Sequence, residues 1–68
     1  MRKDIYKQLM AVSELFGGYA ANDLKAAEHS RTAGIEGMDQ WLEGRASGYR
    51  LVENHCKRMA EIYKEEEE

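Results

Sequence analysis

Ser30-Arg31-Thr32-Ala33-Gly34-Ile35-Glu36-Gly37 decides the fold. Six glycines, at 17, 18, 34, 37, 44 and 48, punctuate a 68-residue chain that has no proline, and only Gly34 and Gly37 fall where strong apolar periodicity lapses. Proline is the strongest helix breaker, so its absence leaves long helices unopposed. Gly34 is expected to take the left-handed conformation that ends a helix, where a residue without a Cβ is at no disadvantage. The chain therefore reads as a single all-α domain over 1–68, an antiparallel hairpin of two long helices. Its parts are a first helix over about 2–32, a turn over about 33–36, a second helix over about 36–65 and a frayed acidic tail at 66–68.

Beyond the turn, Ile35, Leu42, Tyr49, Cys56 and Tyr63 recur every seven residues, and Met38, Arg45, Val52 and Met59 repeat in the offset positions. A sustained seven-residue apolar repeat predicts a helix packed in left-handed, coiled-coil fashion, with Arg45 as its one polar interruption. Before the turn, Ile5, Leu9, Val12, Phe16, Tyr19 and Ala26 form one stripe, and Tyr6, Met10, Ala20, Leu24 and Ala27 form a second beside it. At about 100° per residue the two merge into an arc wider than half the helix circumference. Gly17-Gly18 interrupts this helix at its middle, as a kink or a break.

In a hairpin turning near residue 34, opposed residues have numbers that sum to roughly 68. The pairs this produces are sensible: Ile5 with Tyr63, Leu9 with Met59, Val12 with Cys56, Phe16 with Val52, Tyr19 with Tyr49, Ala26 with Leu42. Arg45 falls opposite Asp23, which predicts a salt bridge. Gly44 and Gly48 fall opposite Ala20, Ala21 and Leu24, which predicts close backbone approach there. Arg2, Lys3 and Lys7 share an end with Glu61 and Glu65–Glu68, where basic neighbours offset acidic charge at a helix C-terminus.

A two-helix hairpin has one interface, and chains below about 70–80 residues rarely draw more than about 3–5 kcal/mol from a single core. The wide arc of the first helix needs a further cover, and the simplest is a second copy, giving a dimeric four-helix bundle. Another protein is the rival cover. Trp41 is the only tryptophan, and with Tyr6, Met10, Leu24 and Met38 it makes the expected interface, since tryptophan anchors many protein–protein contacts.

Several chemistries are set aside. His29, His55 and Cys56 are the only soft metal ligands, and zinc wants four held together, so no metal is expected; Cys56 reads as a small core residue. Ser13, Ser30 and Ser47 lie in no nucleophile motif, no Glu-x-x-His pair is present, and no catalytic residue is assigned. The glycines follow no strand and precede no Gly-Lys-Ser or Gly-Lys-Thr, so no phosphate-binding loop and no cofactor is expected. With 43% hydrophobic and 34% charged residues the chain is too apolar for a disordered tail, and no run is long enough to cross a membrane. A lone cysteine and the lack of a leader-like apolar segment suggest a cytoplasmic protein.

The expected function is that of a small, non-enzymatic, homo-oligomeric helical protein serving as an interaction or regulatory module, of a kind mobile elements such as phages carry. The alternative is nucleic-acid binding through Arg45, Arg50, Lys57 and Arg58 on the second helix, with Tyr49 stacking a base. The net charge of −3 weighs against it, although the four terminal glutamates supply more than all of that charge.

Overall fold

The computed structural model describes residues 2–67, with side chains from 4–64. Two helices, α1 (Arg2–Ala33) and α2 (Met38–Glu67), pack against each other along their length as an antiparallel hairpin. The rod measures 52 × 13 × 12 Å. α1 runs through Gly17-Gly18 without a break, and α2 continues helical to Glu67, past the boundary near 65. The turn sits at 34–37, one residue later than expected. Ion pairing between Arg2 or Lys3 and Glu65–Glu68 falls outside the described side chains.

The turn works by saturating the carbonyls that the end of α1 leaves unpaired. Gly34 holds φ at +74°, its N–H donates to the Arg31 carbonyl at 3.2 Å, and the Ile35 N–H donates to the Ser30 carbonyl at 3.0 Å. This pair of bonds is the Schellman closure, which needs a left-handed residue just past the helix. Gly37, at φ +83°, then offers its carbonyl to the Trp41 N–H at 3.2 Å, opening α2. Two left-handed glycines thus reverse the chain in four residues.

The seam between the helices is made of small residues. Ser13, Ala20, Asp23, Ala27 and Ser30 of α1 are buried against Leu42, Ala46, Cys56 and Ala60 of α2. The Ser13 hydroxyl crosses the seam and donates to the backbone carbonyl of Glu53 at 3.2 Å. A side chain that short reaches the opposing main chain only because nothing bulky holds the helices apart. The heptad of α2 holds at Leu42, Tyr49, Cys56 and Tyr63, but its companion row is Ala46, Glu53 and Ala60; of the expected row Met38, Arg45 and Val52 are exposed and only Met59 is half-buried. On α1 the seam passes between the two expected stripes, through Leu9, Ser13, Phe16, Ala20, Asp23 and Ala27, and leaves Ile5, Val12 and Tyr19 outside. Large side chains dominate a hydropathy pattern, whereas closeness of approach selects small ones.

Two glycine expectations are corrected. A Cβ on Gly44 or Gly48 would meet nothing within 4 Å, so neither glycine lies at the helix–helix contact. They sit on the outside of α2, where each costs the helix about 1 kcal/mol relative to alanine. Gly17 is the glycine that makes room: a Cβ there would lie 2.6 Å from the Glu53 carboxylate, which fills the notch.

Ala20→Leu, at a fully buried seam position, is expected to cost about 1–3 kcal/mol by forcing the helices apart. Gly18→Ala, in open space on α1, is expected to gain about 1 kcal/mol. Urea unfolding followed by circular dichroism checks both signs.

Candidate interaction surface

With small residues inside, the large apolar ones are left outside, and they fall mostly on one flank of the rod. Helical spacing places Ile5, Val12 and Tyr19 of α1 on the same side as Met38 and Val52 of α2, with Leu15 and Trp41 just beyond them; all seven are exposed. Phe16, Tyr19 and Tyr49 tie this flank together, with ring centroids 5.6 Å apart for Phe16–Tyr19, 5.7 Å for Phe16–Tyr49 and 5.5 Å for Tyr19–Tyr49. The Phe16–Tyr19 rings meet edge to face at 76°, an arrangement aromatic quadrupoles favour. The predicted opposition of Tyr19 and Tyr49 is thereby realised.

Arg45 anchors the turn half of the flank. Its Nε donates to Asp23 Oδ2 and its Nη2 to Asp23 Oδ1, both at 2.8 Å, forming the expected salt bridge as a two-pronged clamp. Asp23 is only 6% exposed. The guanidinium also lies 4.5 Å from the Trp41 ring centre and 5.8 Å from that of Tyr49. Trp41, Arg45 and Tyr49 follow one another at four-residue intervals, and this cation–aromatic ladder holds the exposed indole in place. The hydrogen bond from Arg45 holds the Asp23 carboxyl below the usual carboxylate range against the opposing effect of burial, and the same bond raises Arg45.

The opposite flank is charged. Arg31 bridges the helices near the turn, reaching Glu43 at 2.7 Å, Glu28 at 3.0 Å and Asp39 at 3.3 Å, and its hydrogen bonds with Glu43 and Glu28 raise its pKa. Asp39 is thereby engaged from the opposite helix. Glu53 takes Arg50 at 2.8 Å and Lys57 at 3.4 Å, and the hydrogen bond from Arg50 is the main cause of its lowered pKa.

The five expected interface residues are not one patch. Met38 and Trp41 lie on the apolar flank, Met10 and Leu24 lie on the charged side, and Tyr6 is half-buried at the seam. The four expected nucleic-acid contacts are divided as well. Arg50 and Lys57 stand on the charged flank, both occupied by Glu53, while Arg45 is about 140° around the helix from Arg50 and bound to Asp23. Arg58 is exposed on the outer side of α2. Cys56 is buried as a free thiol, His55 beside it is exposed, and His29 is exposed near the turn. Among the described residues no three His, Cys, Asp or Glu side chains gather as a metal would require, and no helix is long and apolar enough to cross a membrane. The ladder through Arg45 was readable from the four-residue spacing of Trp41, Arg45 and Tyr49. The Gly17 notch had no local signal.

A carboxyl whose pKa is lowered by folding stabilises the fold above its unfolded value, near about 3.9 for aspartate, and loses that contribution as pH falls through the folded value. Thermal melts from pH 7 down to pH 2 are expected to show Asp23→Asn less stable than the natural chain at neutral pH. The two curves should converge in acid, where Asp23 is protonated. No protein-family model, curated protein or solved structure matches this chain, and its own geometry carries the functional reading.

Proposed function

We propose that this chain is a non-enzymatic, homo-oligomeric helical module that acts by binding protein, its hairpins associating as four helices, in a reducing compartment such as the cytoplasm. One observation carries the reading: the seam is built largely from alanine and serine, while Ile5, Val12, Tyr19, Met38, Trp41 and Val52 stand exposed along one flank. A contiguous apolar flank of this kind marks an association surface. The Trp41–Arg45–Tyr49 ladder supplies the residue types that dominate binding energy, already held in position before any partner arrives. A small-residue seam also buries little apolar area, so association is a natural source of the stability that a lone hairpin lacks.

Light scattering on a sizing column over a hundredfold concentration range is expected to report a helical oligomer that Trp41→Ala weakens without loss of helicity. A monomer at every concentration would remove the homo-oligomeric half of the reading and leave the flank to a different protein. For the nucleic-acid alternative, no mobility shift with RNA or DNA at low salt is expected, since Arg45, Arg50 and Lys57 are held by Asp23 and Glu53. A shift that weakens steeply with added salt would reinstate it.

A further inference from the structure

The outer side of α2 carries a second heptad stripe that faces away from α1. Trp41, Gly44, Gly48, Leu51, His55, Arg58 and Ile62 recur at alternating intervals of three and four residues, the spacing of a coiled-coil seam, and all are exposed. Leu51 is 71% exposed, Trp41 57% and Ile62 50%, with nothing of this chain within 4 Å of where Gly44 or Gly48 would carry a Cβ. The two interior glycines, unopposed within the hairpin, leave a shallow depression in this side of α2.

We infer that a second copy of this chain docks on the stripe, α2 against α2 and antiparallel, about a two-fold axis at Leu51. The inference rests on the self-association proposed above but seats it on this stripe, which shares Trp41 with the apolar flank and leaves Ile5, Val12 and Tyr19 to a different protein. A two-fold axis at Leu51 pairs residues whose numbers sum to roughly 102. Leu51 then meets Leu51 of the other copy, and Trp41 meets Ile62. The two glycines receive the two bulky polar side chains: Gly48 opposes His55, and Gly44 opposes Arg58. Large meets small, apolar meets apolar, and no like charges are opposed. A parallel two-fold would instead stack Arg58 on Arg58, which charge repulsion disfavours, and would set glycine against glycine at 44 and 48.

Size sets the strength. α2 has 30 residues, hence is about 45 Å long and about 10–12 Å across with side chains. Covering one side of it removes on the order of 500 Å² per copy, or about 1,000 Å² in all, at the threshold of specific interfaces. The pair is accordingly expected to dissociate on dilution.

The test places single cysteines in a Cys56→Ala background. Under mild oxidation Leu51→Cys is expected to cross-link two copies, and Val12→Cys, on the apolar flank, is not. Gly48→Ala and Gly48→Glu are expected to raise the dissociation constant at least tenfold by light scattering, while helicity and melting of the dilute hairpin stay level or rise. Cross-linking through Val12→Cys instead, together with indifference to Gly48→Glu, would overturn the α2 pairing while self-association stands. A natural chain that is monomeric throughout the range would overturn both.

Discussion

Close approach of two helices along a row of small residues is the constraint on which the rest of this structure depends. Ala20, Ala27 and Ala60 are fully buried, and Ser13 reaches across to a main-chain carbonyl. Bringing the backbones this near leaves little room for bulk at those positions, so most of the chain's large apolar side chains are displaced outward. Exposed apolar surface here is the geometric counterpart of a tight seam.

Small seams specify register weakly, because alanine fits against alanine at many offsets. Polar contacts supply what packing does not. Asp23 accepts both prongs of Arg45, and the Glu53 carboxylate occupies the notch at Gly17. Sliding α2 by one heptad would carry Arg45 away from a nearly buried carboxylate and would press Glu53 against a side chain. The penalty for a buried charge without its partner is several times the worth of a surface pair, so these contacts select one register. Arg31, held by acids on both helices, closes the turn end.

Much of the fold was legible because its signals are local. Glycine without proline, the lapse of periodicity at 30–37 and the summed pairing put the turn, the antiparallel order, the Asp23–Arg45 bridge and the Tyr19–Tyr49 contact in place. What the sequence obscured was rotation. Reading the stripes from Ile5, Val12, Met38 and Val52 turned each helix toward its bulkiest face, while the structure turns each toward its alanines. The candidate surface was correspondingly only half legible: Trp41 and Met38 lie on the apolar flank, while Met10 and Leu24 lie across the rod among the charges. Gly44 and Gly48 show the same inversion, since glycine in a helix signals closeness without saying to which neighbour.

The reversal at 34–37 puts the start of α1 and the end of α2 at one pole and leaves the other pole as a bare loop. Anything joined to either end of the chain leaves from the same tip. In an antiparallel pair centred on Leu51 the two tips point in opposite directions, separated by about the 52 Å length of the rod. A pair built in this way would be a stiff spacer, the distance between its two tips set by helix length rather than by a flexible tether.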